Sequence, residues 1–354
     1  MQFSVTPREA LGLEDLPLLN SLGFDYNAPH VVYPPAGSTN VLAVCVFGTG
    51  TRPDQSSIYL RHLHELTGLP TIGLSYKFGP IPDVKRNKRI EDLVGGDEAE
   101  MQKRIEAYHE DILYGGSTCG LDFIDVSKED SIVSRLSALL SYLDRTRPSE
   151  EGWGCFLEES SGVLDYSKMM FTGYSQGAGH LCYLAKTNVL GGLIMVSGPQ
   201  DAVPSRGSGV TSWMERDPPF ATRNMVAWKH AREETGGVMD QCWRIIEPLA
   251  LGRVNDSQCS VLYKVDGGAA QMSVRLETLG DRCFHVGLDP QAGFTANDRP
   301  CHCSTLIDAA TPLTTDGMSV YEHSIYPHTI KLCIAGISTR NETHSVGYSE
   351  ASKL

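Results

Sequence analysis

The sequence has no apolar run of the roughly 18 residues that a membrane-spanning helix needs. Its first residues, Met1 to Glu9, lack the basic start and apolar stretch of a secretory signal peptide. Basic residues are also scarce, because 30 Lys and Arg against 43 Asp and Glu give a formal net charge of −13. Nucleic acids and anionic membranes bind clustered Lys and Arg. We therefore expect no membrane span and no nucleic-acid partner.

A disulfide framework is missing as well. The ten cysteines are scattered without regular spacing, and Cys45 and Cys182 lie in apolar stretches where a thiol behaves as a small hydrophobe. This usage predicts a reducing compartment. Cys301-His302-Cys303 could be half of a metal site, but zinc usually needs two further ligands and no second cluster of this kind occurs. We predict no metal and no organic cofactor.

Short apolar runs ending in small residues, each followed by a helical pattern, recur along the chain and predict parallel β-α-β units. The strand candidates are Val41 to Phe47, Thr71 to Tyr76, Lys168 to Thr172 and Gly192 to Ser197, with weaker ones at Asn224 to Lys229, Ser260 to Val265 and Arg282 to Leu288. A capping box at Ser127 opens a helix that Pro148 ends. The fold class is therefore α/β, with a mostly parallel central sheet, helices on both faces and a loop-rich cap region.

Residues 1–340 form one domain in this interpretation, with insertions near 77–124 and 203–220. The first insertion is charged and irregular, apart from a helical pattern at Glu98 to Tyr114. In the second, Trp213, Met214 and Phe220 indicate an apolar pocket entrance, although a loop packing its own hydrophobic residues gives the same pattern.

The segment Gly173-Tyr174-Ser175-Gln176-Gly177 lies between a strand candidate and a helical pattern, which is the arrangement of a nucleophile elbow. The serine of an elbow occupies a tight turn, and side chains two positions to either side would collide with the neighbouring helix and strand. The start of the helix also presents backbone N–H groups to an anionic intermediate. Ser175 is the predicted nucleophile, and the N–H groups of Gln176 and of Thr49, in the Gly48-Thr49-Gly50 loop, form the predicted oxyanion hole.

These motifs together resemble a poorly characterised family of α/β-hydrolase-fold serine hydrolases. The shared features are a Gly-Thr-Gly loop, an elbow of the type Gly-x-Ser-Gln-Gly-Ala-Gly-His, here Gly173 to His180, and a strand ending Ser-Gly-Pro-x-Asp, here Ser197 to Asp201. The resemblance covers roughly residues 40 to 310 and implies the fold and serine chemistry, without a firm substrate.

A serine nucleophile needs an imidazole base, which follows it along the chain in this fold. His302 comes after the last strand candidate, and the resemblance places a His-x-(Ser/Ala)-Thr sequence at the same point. His323 and His328 remain alternatives. His180 lies on the elbow helix and points away from Ser175, while His285 lies inside a strand candidate and His344 in the tail.

The imidazole in turn needs a carboxylate, and Met225 to Glu234 has the pattern of a strand followed by a polar loop, where this fold carries its acid. The resemblance places a carboxylate three residues after a histidine, which is Glu233, where the family usually has Asp. Glu234, Asp201 and Asp266 remain alternatives.

The predicted function is cleavage of a carboxylic ester or thioester through an acyl-enzyme on Ser175, with a small acyl compound as substrate. Two alternatives stay open: transfer of the acyl group to an amine or alcohol, and a non-catalytic ligand-binding member of the fold.

Residues 341–354 form a polar, mobile tail in this interpretation. It ends in Ser352-Lys353-Leu354, a tripeptide that the peroxisomal import receptor binds, and this predicts the peroxisomal matrix as the location.

Overall fold

The fold comes from a computed structural model. It describes residues 1–12, 25–158, 161–201, 210–216, 224–246, 263–265, 268–270, 283–286, 299–312, 319–323, 325–327, 329–331 and 333–334. The predicted tail, most of the 203–220 insertion, and the candidates Asp266, His328 and His344 lie outside these residues. Within them, no helix has the length and apolar character needed to cross a membrane.

A mixed sheet forms the centre of the molecule, and in the described part of the chain it has eight strands in the order β1-β2-β4-β3-β5-β6-β7-β10. The neighbouring pairs β1–β2 and β2–β4 are antiparallel, and all the others are parallel. A separate antiparallel pair joins β8 to β9. The strands are β1 (Phe3–Val5), β2 (His30–Tyr33), β3 (Leu42–Val46), β4 (Thr71–Leu74), β5 (Met169–Tyr174), β6 (Gly192–Val196), β7 (Met225–His230), β8 (Tyr263–Val265), β9 (Gly268–Ala270) and β10 (Cys283–Val286).

Strands β3 to β7 are buried on both faces, because helices cover each side of the sheet. The predicted strands at these positions, at β8 and at β10 are confirmed, whereas the edge strand β1 and its neighbour β2 were not predicted. The helices are α1 (Pro7–Leu11), α2 (Ser57–Thr67), α3 (Asp83–Leu93), α4 (Glu98–Tyr114), α5 (Ile132–Thr146), α6 (Gln176–Thr187), α7 (Gly236–Ile246) and α8 (Pro300–Ser304).

Two apolar cores lie on opposite faces of the sheet. The larger core contains side chains of α4, α5, α6 and α7, including Ile105, Leu139, Leu181 and Trp243. The smaller core combines α2 with later segments and includes Leu60, Leu306, Tyr321 and Tyr326. The eight cysteines whose side chains are described are all free thiols.

The first insertion contains two helices, α3 and α4, of which only α4 was predicted. The buried face of α3 is largely polar, with Asp83, Arg86 and Asn87 beside Ile90, so apolar periodicity does not reveal it. The predicted cap at Ser127 was wrong. Ser131 is the N-cap of α5 and accepts the Ser134 N–H at 3.2 Å, while Ser127 Oγ accepts the Asp130 N–H in the preceding turn.

The strand order, the two helical layers and the sharp turn between β5 and α6 together define the α/β-hydrolase fold. In such a sheet the carboxyl ends of the parallel strands meet at one edge. The loops that follow β3, β5, β6 and β7 therefore converge, and they carry the residues of the candidate site.

Candidate active site

Ser175 follows β5 directly and has the left-handed backbone conformation φ 54°, ψ −120°. A Cβ at Gly173 would lie 2.5 Å from Ala178 Cα, and one at Gly177 would lie 2.2 Å from the Val46 carbonyl oxygen. Both flanking glycines are therefore required by close backbone approach, and the predicted reason for them is confirmed. Ser175 is 8% exposed, so the turn presents its hydroxyl at a nearly closed surface.

His302 lies in the short helix α8 and faces Ser175, with His302 Nε2 2.9 Å from Ser175 Oγ. Its ring stacks on Tyr174 at a centroid distance of 5.2 Å, and the Tyr174 hydroxyl donates to the His302 carbonyl at 3.3 Å. These contacts fix both the ring and the backbone of a histidine that is only 5% exposed. Both ring nitrogens of His302 have partners within the protein, which leaves neither for the zinc site considered with Cys301 and Cys303.

Glu233 lies in the turn after β7 and contacts His302 Nδ1 through its Oε1. The second oxygen, Oε2, accepts a hydrogen bond of 2.9 Å from the Ser197 hydroxyl. The Glu233 side chain is fully buried. Glu233 therefore completes a continuous line of contacts from Ser175 through the imidazole to a buried carboxylate.

The adjacent Glu234 has a different position. Its Oε1 accepts the Cys301 N–H and its Oε2 the His302 N–H, both at 3.1 Å. Glu234 thus contacts the backbone that carries the histidine, while Glu233 contacts the ring. The local sequence pattern alone did not separate these two neighbouring carboxylates, and the family resemblance was the signal that selected Glu233.

The predicted oxyanion donors lie beside Ser175. Gln176 is the first residue of α6, and Gly48 lies against Ser175 so closely that a Cβ there would be 2.7 Å from the serine Cβ. Among the hydrogen bonds of the described residues, none uses the backbone N–H of Thr49 or of Gln176. Both N–H groups are therefore available to an anionic oxygen.

The side chain of Gln176 connects three segments. Its Oε1 accepts the Gly79 N–H at 2.9 Å, and its Nε2 lies 3.0 Å from Thr49 Oγ1 and 3.1 and 3.2 Å from the carbonyl oxygens of Gly79 and Ile81. The amide thus joins the elbow to the Thr49 loop and to the start of the first insertion.

Asp201, an alternative acid in the sequence, belongs to a second buried cluster, which lies against Gly179 and His180 of α6. His109 Nε2 lies 2.6 Å from Asp201 Oδ2, His109 Nδ1 lies 3.0 Å from His180 Nδ1, and Arg86 pairs with both Asp201 and Asp83. All five side chains are at most 2% exposed. Asp201 therefore does not contact His302, and His180 points away from Ser175 as predicted.

The two carboxylates of this cluster differ in their electrostatics. Burial opposes ionisation of Asp201, but His109 and Arg86 outweigh it and hold the pKa of Asp201 below its usual range. Burial raises the pKa of Asp83, and the charge of Asp201 adds to that effect against the attraction of Arg86. Asp201 is hydrogen-bonded to both His109 and Arg86, whereas the ion-pair contact of Asp83 is with Arg86.

Trp213 and Met214 do not form an apolar entrance, because they are 1% and 0% exposed. Trp213 packs edge-on against His109 and Tyr183. Phe220 lies outside the described residues.

Two features of the site were missed by sequence reasoning, the Ser197 hydroxyl on Glu233 and the Gln176 side chain. The Ser-Gly-Pro-x-Asp motif, which begins at Ser197, was the part of the sequence that could have indicated a role for the Ser197 hydroxyl.

No family model matches the sequence, and no curated protein does. Similar solved structures include the dienelactone hydrolase from Anabaena variabilis, 11% identical over 70% of this chain and 82% of that one, with a TM-score of 0.35. Carboxyl esterase 2 from the fungus Tuber melanosporum is 9% identical over 70% and 73%, with a TM-score of 0.36. An esterase from Pyrobaculum calidifontis is 9% identical over 70% and 72%, with a TM-score of 0.38. At this distance the likeness concerns the fold alone.

Proposed function

We propose that this protein is a serine hydrolase that cleaves carboxylic esters or thioesters through an acyl-enzyme on Ser175. The observation that carries the proposal is the line of contacts from Ser175 Oγ through both nitrogens of His302 to Glu233 Oε1. Nucleophile, base and acid come from three separate loops, more than 50 residues apart along the chain, and meet at one edge of the sheet. Such an arrangement supports nucleophilic catalysis better than a role in ligand binding alone.

In the first half of the reaction, Ser175 Oγ attacks the substrate carbonyl carbon while His302 Nε2 takes the hydroxyl proton. Glu233 accepts the Nδ1–H of the ring, which keeps Nε2 free as the base and stabilises the imidazolium that forms. The carbonyl oxygen becomes an oxyanion held by the N–H groups of Thr49 and Gln176. Collapse of this intermediate breaks the bond to the leaving group, which takes the proton from Nε2.

In the second half, a water molecule replaces the leaving group. His302 Nε2 removes a proton from the water as its oxygen attacks the acyl carbon, and the same oxyanion donors hold the second intermediate. The bond between the acyl carbon and Ser175 Oγ then breaks, and Oγ recovers its proton from Nε2. Each of these steps uses groups of this chain and water.

Labelling with a fluorophosphonate tests the proposal, because such probes react only with an activated serine. We expect intact-mass analysis to show one adduct on the wild type and none on Ser175→Ala. Ser56→Ala is the matched control, since Ser56 is fully buried and its hydroxyl has no hydrogen-bond partner. Absence of Ser175-dependent labelling would reject both hydrolysis and acyl transfer.

Esters of graded acyl length, including CoA thioesters, would define the substrate class. A competing amine or alcohol in the same assay separates hydrolysis from acyl transfer, because both share the acyl-enzyme and differ in the group that reaches it. Acid as the sole product supports the hydrolase, and a conjugate formed in preference to acid supports the transferase.

Import into the peroxisomal matrix through Ser352, Lys353 and Leu354 stays a prediction. A fluorescent protein fused to the N-terminus should give punctate fluorescence that coincides with a peroxisomal marker. Removing the last three residues should make it diffuse, and unchanged puncta would contradict the predicted signal.

A further inference from the structure

Ser197 has a backbone conformation that L-amino acids seldom adopt. Its φ is 52°, and among the described residues Ser175 and Ser197 are the two non-glycine residues with positive φ. They occupy equivalent places, since each directly follows one of two neighbouring parallel strands, β5 and β6, and each donates its N–H to the next strand. Glycine would adopt this conformation without steric cost. A serine retained there suggests that its hydroxyl is used.

The Ser197 hydroxyl lies between two parts of the candidate active site. It donates to Glu233 Oε2 at 2.9 Å, and it lies 2.9 Å from Thr305 Oγ1. The Thr305 hydroxyl in turn donates to the His302 carbonyl at 2.8 Å. Ser197 and Thr305 are both fully buried, so water cannot replace either hydrogen bond.

An ionised carboxylate accepts hydrogen bonds and donates none. The single hydrogen of Ser197 therefore goes to Glu233. The Thr305 hydroxyl also has a single hydrogen, which goes either to the His302 carbonyl or to the Ser197 oxygen. Ser197 and Thr305 thus lie in contact with each other between Glu233 Oε2 and the His302 backbone, alongside the direct contact of Glu233 with the imidazole. A carboxylate held at both oxygens has one orientation.

We propose that Ser197 is a positioning residue for Glu233: its hydroxyl fixes Oε2 so that Oε1 stays aligned with His302 Nδ1. The inference rests on the proposed function and adds a fourth side chain to the three that perform it. Ser197 does not touch the reacting atoms and acts only through Glu233. Its removal should therefore slow the reaction at Ser175 while leaving substrate binding unchanged.

Ser197→Gly is the most discriminating variant, because it removes the hydroxyl and at the same time relieves the steric strain of the left-handed backbone conformation. We expect its Tm to stay within about 5 °C of the wild type, because relief of the backbone offsets part of the cost of the lost hydrogen bond. Its rate of phosphonylation by a fluorophosphonate, and its kcat on p-nitrophenyl acetate, should fall about 10- to 100-fold, as for the loss of one hydrogen bond to a buried charge. KM should change by less than about threefold, and Ser56→Ala should change none of these quantities.

A double-mutant cycle with Glu233→Gln separates positioning from general damage. If Ser197 acts through Glu233, Ser197→Gly should lower the phosphonylation rate by less than about twofold in the Glu233→Gln background. An equal loss in both backgrounds, or a Ser197→Gly rate within about twofold of the wild type, would overturn the inference alone. A wild type that does not label at Ser175 would overturn the proposed function, and the inference with it.

Discussion

Glu233 and Asp201 should respond in opposite ways when each is replaced by its amide. Glu233→Gln keeps an oxygen that can accept the His302 Nδ1–H but removes the charge that stabilises the imidazolium. A comparable substitution in a Ser-His-Asp enzyme lowers kcat by about 10⁴-fold, and we expect a loss of that order. Asp201→Asn, in contrast, removes a charge that contacts Arg86 and His109 and not His302. Its effect should be on stability.

The magnitude for Asp201→Asn follows from what the substitution leaves behind. Removing one partner of a buried ion pair costs about 3–5 kcal/mol. Arg86 keeps Asp83 at 2.8 Å, so we take the lower value, about 3 kcal/mol. For a chain of this size each kcal/mol lowers Tm by about 2 °C, which gives a fall of about 6 °C. The kcat of the folded variant at 20 °C should stay within about threefold of the wild type, because the line from Ser175 to Glu233 is intact.

Thermal unfolding followed by circular dichroism, together with the kcat of both variants on one p-nitrophenyl ester, forms the assay. The pH dependence adds a second readout. Because the pKa of Asp201 is lowered by folding, its carboxylate contributes stability above about pH 4, the unfolded value, and this contribution is lost as the pH falls further. The Tm difference between wild type and Asp201→Asn should therefore shrink below about pH 4. An Asp201→Asn protein that loses kcat as strongly as Glu233→Gln, with an unchanged Tm, would refute the assignment of the acid.

Three further predictions concern residues around the site. Glu234→Ala should lower kcat about 3- to 10-fold, because it removes the two hydrogen bonds to the backbone that carries His302. Glu234→Gln should lower kcat less. Equal kcat in the wild type and both variants would contradict this role. Gln176→Ala should slow phosphonylation, because it removes the hydrogen bond that holds the Thr49 side chain while the backbone N–H of residue 176 is kept. A wild-type rate would show that the side-chain amide is dispensable. The Asp308 carboxylate accepts the Ser57 and Ile58 N–H groups at the start of α2, and burial raises its pKa to about 6. The wild-type Tm should therefore gain a contribution as the pH falls from about 6 to about 4, and Asp308→Asn should lose it. If the wild type and Asp308→Asn had the same pH profile of Tm, the raised pKa of Asp308 would be rejected.

Much of the fold could be predicted because the parallel strands are buried on both faces and appear as continuous apolar runs. Such runs predicted β3, β4, β5 and β6 to within two residues at each end. The antiparallel strands β1 and β2 lie outside the run of parallel β-α-β units, so the alternation of apolar runs and helical patterns does not reveal them. Helix α3 was missed for another reason, since its inner face carries a charged cluster in place of apolar side chains.

The residues of the candidate site likewise divide into those that a local sequence pattern predicts and those that depend on the fold. Ser175 could be predicted from local spacing, because the glycines that its turn requires lie within two residues. Glu233 and His302 are 69 residues apart, and their pairing depends on which loops meet at the edge of the sheet. Ser197 was harder still, because its importance comes from a backbone angle and a hydroxyl contact that no periodicity reports.

The cluster of Arg86, Asp83, Asp201 and His109 also bears on how the chain folds. Arg86 and His109 belong to α3 and α4, yet their shared partner Asp201 lies 115 and 92 positions further along the chain. Until strand β6 is in place, His109 lacks its carboxylate partner and Arg86 has Asp83 alone, and burying polar groups without their partners costs free energy. Docking of α3 and α4 should thus be a late folding event. Pulsed hydrogen exchange during refolding should find their amides protected only after those of β3, β5 and β6.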